Sequence, residues 1–178
     1  MYKFISIFAL ISALSACTPP YQDSSFYNTK AVQADTIRLS MLDSLNEIRR
    51  SSGLTEIRLN KELTAAALNH STDMSMQNRP WHFGTNGSSP LDRAARVGYE
   101  GRVLGETISE TYETETETLA AWIEDNNTRE VLLDPDATEF GFSWYQEKNG
   151  KIWWTLVTGT RSEELHYPSN EEMDDEDY

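Results

Sequence analysis

Residues 140–158 read FGFSWYQEKNGKIWWTLVT, and this stretch decides the fold. Phe140, Phe142 and Trp144 alternate with the intervening residues, and a period of two indicates a half-buried strand. The pair Asn149-Gly150 is typical of a two-residue hairpin turn, and residues 152–158 then form the returning strand. The stretch therefore predicts an antiparallel hairpin with aromatic side chains along one side.

Helical patterns occupy the chain before this hairpin. The first, over residues 35–50, has apolar residues at steps of three that predict one buried face before the stop at residues 51–53. These residues are Leu39, Leu42, Leu45 and Ile48. A second helix is predicted over residues 61–77, because Asn60 is a favourable N-cap. One face of it combines Leu63, Ala67, His70 and Met74.

Shorter elements complete the domain. Residues 89–92 read Ser-Pro-Leu-Asp, a capping box with proline at the first helical position, so a short third helix is predicted to stop at Gly98. Residues 102–112 are strand-like, and residues 116–126 predict a fourth helix with Leu119, Trp122 and Ile123 inward. Because helices come first and an antiparallel hairpin follows, the predicted fold class is α+β, built in layers.

The amino terminus has the pattern of an export signal. Lys3 precedes an apolar stretch too short to span a bilayer permanently, and the stretch ends in Leu-Ser-Ala-Cys at residues 14–17. This tetrapeptide resembles the lipobox of bacterial lipoproteins, which implies cleavage before Cys17 and a diacylglycerol on its sulfur. Cys17 is the only cysteine of the chain, so no disulfide competes for it. We therefore predict a lipoprotein signal peptide at residues 1–17, with the membrane as a partner through the lipid on Cys17.

The segment after Cys17 is predicted to be a flexible tether over residues 18–35, with the folded domain at residues 36–161. Thr18 is not the aspartate that some bacteria use for inner-membrane retention, so the outer membrane is favoured over the inner membrane. Residues 163–178 hold eight of the 29 acids and no Lys or Arg, which predicts a disordered acidic tail at residues 162–178. The formal net charge of -14, without a basic stripe, argues against a nucleic-acid partner.

Motifs spread over residues 39–159 resemble the CAP superfamily, which contains the cysteine-rich secretory, antigen 5 and pathogenesis-related 1 proteins and is also called the SCP domain. The motifs are Asn46-Glu47-Ile48-Arg49, Gly53-Leu54, Leu59-Asn60 with Leu63, Ala67 and His70, Trp81-His82, Ser89-Pro90 with Arg93, Gly98-Tyr99, Gly105-Glu106, Trp122 with Arg129 and Leu132-Leu133, Pro135 with Thr138-Glu139-Phe140-Gly141, and Trp153-Trp154-Thr155. Those from Trp81-His82 to Gly105-Glu106 closely resemble the bacterial branch of the superfamily. The resemblance implies an α-β-α sandwich with a small antiparallel sheet between helices.

The resemblance also implies a surface cleft lined by two histidines and two acids, which in many relatives holds a divalent metal. Carried over position by position, the first histidine is His82 and the acids are Glu106 and Asp125. The second histidine falls on Thr128, where this chain departs from the pattern. A tetrahedral zinc site needs three or four good ligands, so we predict no resident cofactor and allow a weak Mg²⁺ or Ca²⁺ site.

Several roles remain open for these residues. His82 and Glu106 could simply tie a loop to the sheet through their hydrogen bond, or Glu106 and Asp125 could act as the two carboxylates of a glycosidase. A nucleophilic mechanism would use His82 with Ser88 or Ser89. The pair His70 and Asp73 is interpreted as a surface or core-edge polar pair. The tryptophans Trp144, Trp153 and Trp154 are interpreted as sheet packing, with an apolar lipid groove as the alternative.

The leading hypothesis is a non-enzymatic binding module, tethered to the cell envelope, that takes a lipid, an envelope polymer or a protein. The alternative is an envelope hydrolase acting through the same cleft around His82 and Glu106. A third option is a scaffold whose acidic tail docks a basic partner. The sequence leaves the oligomeric state open.

Overall fold

The computed structural model describes Thr29 and residues 34–161. Its elements in chain order are α1 (Ala34–Ser51), β1 (Arg58–Leu59), α2 (Lys61–Gln77), α3 (Pro90–Arg96), β2 (Arg102–Ser109), α4 (Glu115–Glu124), α5 (Asn126–Leu132), β3 (Glu139–Gln146) and β4 (Ile152–Thr160). The predicted signal peptide with Cys17 and the predicted acidic tail lie outside the described residues, as does the tether except for Thr29, Ala34 and Asp35. Within those residues, the structure contains no helix with the length and hydrophobicity that a membrane crossing requires.

The four strands form one sheet in the order β1-β3-β4-β2. β4 pairs antiparallel with β3 on one side and with β2 on the other. β1 runs parallel to β3, with Arg58 opposite Glu139, so the sheet is mixed rather than wholly antiparallel as predicted. A strand of two residues has no readable periodicity, which is why the sequence did not reveal it.

Helices cover both faces of the sheet, which confirms the predicted α+β class and its α-β-α layering. α2 and α3 contact one face, whereas α1, α4 and α5 pack together on the other. β4 lies at the centre, and every residue of it except the last is buried. The core is therefore divided into two hydrophobic clusters, one on each face of the sheet. One contains Leu45, Trp122 and Phe142, and the other contains Leu63 and Val157.

The buried side of α1 differs from the prediction. Its core-facing apolar residues are Ile37, Met41 and Leu45 at steps of four, while Leu39 is 52% exposed. Each step of three residues turns an α-helix by about 300°, so a series of such steps drifts around the axis instead of following one face. Leu42 and Ile48 are therefore only partly buried at the edge of the core.

The hairpin between β3 and β4 is confirmed, but its turn is longer than the predicted two residues. The Glu147 N–H donates to the Lys151 carbonyl at 2.8 Å, and the Gly150 N–H donates to the Glu147 carbonyl at 3.0 Å. A two-residue type I′ turn needs positive φ at both central residues. Here Gly150 has φ of 96°, and Asn149 is not among the described residues with positive φ.

The predicted fourth helix is interrupted at Asp125, which is the C-cap of α4 and the N-cap of α5. Its carboxylate accepts the N–H groups of Asn127 and Thr128 at 2.8 and 3.2 Å. The sequence did not predict α5, because no local pattern indicates that a new helix begins directly after Asp125. By contrast, the Asn60 cap of α2 and the Ser89–Asp92 capping box of α3 are confirmed.

Candidate functional site

α2 lies unusually close to the sheet. A Cβ atom added to Gly141 would lie 2.0 Å from the Leu63 carbonyl carbon and 2.2 Å from the Thr64 nitrogen, so only glycine fits there. The side of the sheet beneath α2 and α3 contains a group of small and polar residues that we call the polar face: Gly141, Ser143, Thr155 and Glu106. Val157 and Trp153 lie on the same side of the sheet. This close approach buries whatever side chains α2 and α3 direct at the sheet.

Glu106 is the centre of the site. Its side chain is 1% exposed, and both carboxylate oxygens are engaged. Arg93 Nη2 donates to Oε2 at 2.6 Å, His82 Nδ1 contacts Oε1 at 2.9 Å, and His70 Nε2 lies 3.5 Å from the same Oε1. Four elements thus converge on one buried carboxylate: β2, α3, α2 and the loop that follows α2.

Arg93 holds that loop to the carboxylate. Its Nη1 donates to the His82 carbonyl at 3.1 Å and to the Ser88 carbonyl at 2.8 Å. The Ser89–Asp92 capping box sets the start of α3, so Arg93 enters the site from a fixed first turn. The guanidinium is 5% exposed and compensates the buried charge of Glu106. Arg93 belongs to one of the motifs of the family resemblance, but the sequence did not predict a role for it.

His70 corrects a sequence interpretation. The residue is fully buried against Glu106, so reading His70 and Asp73 as a surface or core-edge polar pair is wrong. Asp73 instead accepts the Thr85 N–H at 2.7 Å and the Thr85 hydroxyl at 2.8 Å. Two signals were available: the predicted helix face placed His70 with Leu63, Ala67 and Met74, and the family resemblance included His70.

Burial sets the charge of His70. Desolvation lowers its pKa below the ordinary value, and this outweighs the opposing attraction of Glu106. Both ring nitrogens lack a partner with good hydrogen-bond geometry within the described residues, although the Trp81 carbonyl faces the ring. The imidazole is therefore neutral at pH 7, and its contact with Glu106 is a polar contact rather than an ion pair.

His82 is the part of the cluster that faces solvent. Its side chain is 49% exposed, whereas those of Glu106, Arg93 and His70 are all buried. The Nδ1 atom is held by Glu106, and within the described chain no hydrogen bond engages Nε2. A fixed ring with one outward nitrogen can donate a hydrogen bond to a ligand, accept one from it, or coordinate a cation.

Asp125 and Thr128 make only local contacts. Asp125 caps α5, and the Thr128 hydroxyl donates to the Trp122 carbonyl at 2.6 Å. Neither hydrogen-bonds to His82 or Glu106, so their place in the binding cleft stays a prediction. Among the residues that the structure describes, no group of three or more His, Cys, Asp or Glu side chains is arranged to hold a metal ion.

The tryptophan cluster belongs to the core. Trp153 and Trp154 are fully buried, and Phe142 stacks on Trp154 with ring centroids 5.6 Å apart and planes 3° from parallel. Their indole nitrogens donate to Glu147 and to the Tyr112 carbonyl. The sheet-packing interpretation is confirmed for these two residues, and Trp144 is partly buried beside Trp154.

Comparisons with known proteins agree with this architecture. The family model described as the cysteine-rich secretory protein family, CAP, matches residues 42–158. The chain is 26% identical over 113 residues to protein YkwD of Bacillus subtilis, a match that covers 64% of this chain and 43% of that protein. The chain thus spans less than half of the length of that relative.

Two solved structures show the same fold. An outer surface protein of Borrelia burgdorferi has a TM-score of 0.67 at 15% identity, covering 73% of this chain and 96% of that one. An extracellular SCP-domain protein of Bacillus anthracis has a TM-score of 0.64 at 22% identity, covering 69% of this chain and 40% of that one. With the family model matching most of the folded residues, the chain belongs to the CAP family of cysteine-rich secretory proteins.

Proposed function

We propose that this chain is a CAP-domain lipoprotein of the bacterial cell envelope, and that its cleft at His82 and Glu106 binds a ligand without catalysing a reaction. The observation that carries this proposal is the state of Glu106, a buried carboxylate with both oxygens engaged. Arg93 holds one oxygen through a charge-assisted hydrogen bond and His82 holds the other, so the carboxylate is committed to contacts within the protein. Its role is to orient His82.

His82 then acts as the recognition group of the cleft. Because the hydrogen bond between Nδ1 and Glu106 already fixes the ring, Nε2 can contact a ligand with little loss of side-chain conformational entropy on binding. The polar groups of a lipid headgroup, an envelope polymer or a protein surface can all form a hydrogen bond with this imidazole nitrogen. No resident cofactor is proposed, and a weakly bound divalent cation at His82 would add its own mass in native mass spectrometry.

The alternative is an envelope hydrolase acting through the same cleft. Its two-carboxylate form needs Glu106 and Asp125 free to exchange protons, whereas Asp125 accepts two backbone N–H groups of α5. Its nucleophilic form needs a serine beside His82, whereas the Ser89 hydroxyl donates to Asp92 at 2.7 Å. These contacts favour binding over hydrolysis.

Attachment to the envelope rests on the lipobox ending at Cys17, with the outer membrane as the favoured site. The names of two structural relatives, an outer surface protein and an extracellular protein, agree with export but are too distant in sequence to show it here. Replacing the sulfur in Cys17→Ser should move the chain from the membrane fraction to the soluble fraction. An unchanged membrane fraction would contradict the lipid anchor.

Ligand binding is tested by native mass spectrometry of the full lipidated chain, purified from bacterial envelopes without chelator. We expect an added mass, beyond that of the anchor, that His82→Ala abolishes. The matched control is Glu47→Ala, because Glu47 is 79% exposed on α1 in the opposite helical layer. Turnover of purified envelope polymer by the wild-type chain, lost in His82→Ala, would instead establish the hydrolase.

A further inference from the structure

The predicted tether touches the folded domain at one described position, Thr29. The Thr29 N–H and hydroxyl both donate to Gln146 Oε1, at 3.0 and 2.8 Å, and the residue is 5% exposed. Gln146 is the last residue of β3, at the start of the hairpin turn. Positions 17 and 29 are twelve residues apart, and twelve residues span at most about 43 Å. The anchored end of the chain therefore joins the domain at its hairpin end.

Large apolar side chains are exposed at that same end. We call them the apolar rim, and they are Leu68 at 43%, Met76 at 71%, Phe83 at 48% and Tyr145 at 40% exposure. Leu68 and Met76 lie eight residues apart on α2, so they share its outward face. Single exposed apolar residues are ordinary on a protein surface, but a group of four calls for a partner.

Contacts in the structure link the rim to the hairpin and the tether. Leu68 and Tyr145 line one shallow groove together with Thr29, and Leu68 also lines a second groove with Met76. At the end of α2, the Ser75 hydroxyl donates to Glu147 in the turn at 3.2 Å. The rim is thus one surface running along α2 to the hairpin.

The loop after α2 extends this surface. The Gln77 side-chain amide donates to the Phe83 carbonyl at 3.2 Å and accepts the Trp81 indole N–H at 2.7 Å. The Trp81 and Phe83 rings lie 5.5 Å apart, so both aromatic side chains adjoin the end of α2. The Arg79 guanidinium lies over the Trp81 ring, 4.0 Å from its centroid.

Cationic side chains border the apolar rim on an otherwise acidic chain. Besides Arg79, Lys148 is exposed in the turn, and the Lys151 ammonium lies 3.8 Å from the centroid of Trp153. Lys151 forms an ion pair with Glu110, and Glu147 in the turn accepts hydrogen bonds from Trp153 and Ser75, so Arg79 and Lys148 are the cations without an acidic partner among the described contacts. The surface therefore combines exposed aliphatic side chains with tryptophan, tyrosine, lysine and arginine. This composition is typical of protein surfaces at the interface between water and lipid.

We infer that the apolar rim lies against the bilayer in which the lipid on Cys17 is inserted, so that the domain rests on the membrane instead of standing away from it. This inference rests on the lipid anchor of the proposed function. A tethered surface has a high effective concentration at its target, so a contact too weak to hold a free protein is sufficient here. The contact is chiefly apolar, which is compatible with the net charge of -14.

Nitroxide labels on the full lipidated chain test this orientation. In Met76→Cys the label lies on the rim, and in the matched control Leu39→Cys it lies on α1, where Leu39 is 52% exposed in the opposite helical layer. Cys17 is the only native cysteine, and its sulfur is blocked when it carries lipid. The labelled chains are inserted into vesicles of phosphatidylethanolamine and phosphatidylglycerol.

For each label we measure the ratio of its collision rate with dissolved oxygen to its collision rate with a water-soluble nickel chelate. We expect this ratio to be several-fold higher at residue 76 than at residue 39. Equal exposure of both labels to the nickel chelate overturns the inference. So does a label at residue 76 that is shielded from both reagents, because it indicates a protein partner or a second copy. The wild-type chain separates the two proposals: nitroxide uptake at Cys17, with no lipid mass on the chain, means that the anchor itself is absent.

Discussion

The two faces of the central sheet are built from the same strands but serve different purposes. The side chains beneath α1, α4 and α5 form an aromatic face, with Phe140, Phe142, Trp154 and Leu156 all fully buried. The polar face beneath α2 and α3 has glycine at 141, hydroxyls at 143 and 155, and the carboxylate of Glu106. Strand alternation places these two sets back to back.

This difference separates stability from chemistry within one small domain. The aromatic face supplies a large apolar area, whose burial stabilises the fold by about 25 cal/mol per Å². On the other side, the small residues of the polar face let α2 approach closely enough to bury His70, Arg93 and Glu106 beside a smaller apolar cluster around Leu63 and Val157. A buried charge cluster of this kind contributes little to stability, so the fold has to be stable without it. Burial of the aromatic face provides that stability.

The largest expected effect is on the aromatic face. Phe142→Ala should lower the free energy of unfolding by about 3–5 kcal/mol, because it removes a ring stacked on Trp154 and leaves a cavity. Chemical denaturation measures this change, with Phe142→Leu as the milder control. The NMR signals of the His82 ring should stay unchanged in the folded variant. A shifted His82 would show that the two faces are not independent.

On the polar face, Glu106→Ala should lower the free energy of unfolding by about 3 kcal/mol, at the lower end for a broken buried ion pair. The reason is that Arg93 loses its carboxylate but keeps the carbonyls of His82 and Ser88. Here the His82 ring signals should move, unlike in Phe142→Ala. Glu106→Gln retains an acceptor for Arg93 and should lose less. A loss below about 1 kcal/mol, the size of an exposed pair, would show that the cluster is solvated.

Acidification should act on the polar face through His70. Since burial lowers the pKa of His70 in the folded chain, the unfolded chain binds its proton first as the pH falls below about 6.5. Stability is thus full above that pH and decreases below it, by up to about 1.4 kcal/mol per pH unit. Unfolding free energies between about pH 7.5 and 5.5 give the slope, which His70→Gln should reduce. An equal slope in the variant would assign the dependence to other groups.

The smallest effect is expected at Asp125, away from both faces. Asp125→Ala should lower the free energy of unfolding by about 1 kcal/mol through loss of the α5 cap. Asp125→Asn keeps a capping oxygen and serves as the control. Ligand binding at His82 should remain in both variants if Asp125 only caps the helix. Loss of binding in Asp125→Asn, with normal stability, would place Asp125 in the cleft as the resemblance implies.

Local signals in the sequence predicted most elements correctly. Asn60 and the Ser89–Asp92 capping box identified two helix starts, and the alternation from Phe140 to Trp144 identified β3. Errors arose where a tertiary contact overrode a local pattern. β1 is a strand only because two residues pair with the edge of β3. α1 buries Ile37, Met41 and Leu45, although Leu39 fits the apolar spacing of the helix equally well.

The candidate site was only half visible in the sequence. The family resemblance pointed to His82 and Glu106, and the structure joins them at 2.9 Å. It could not show that Arg93 pairs with Glu106 or that His70 is buried beside it, because the three residues belong to α3, β2 and α2 and meet only in the folded chain.

The sequence by itself determined the family, the layered fold class, most helix and strand positions and the pair His82 and Glu106. Each of these depends on the spacing or identity of residues that are near neighbours in the chain, or on motifs shared with relatives. Only the tertiary structure decided the burial of His70 and Glu106, the exposure of His82 and the end of the domain that Thr29 contacts. Burial and charge compensation are properties of groups brought together from distant positions, and no local pattern encodes them.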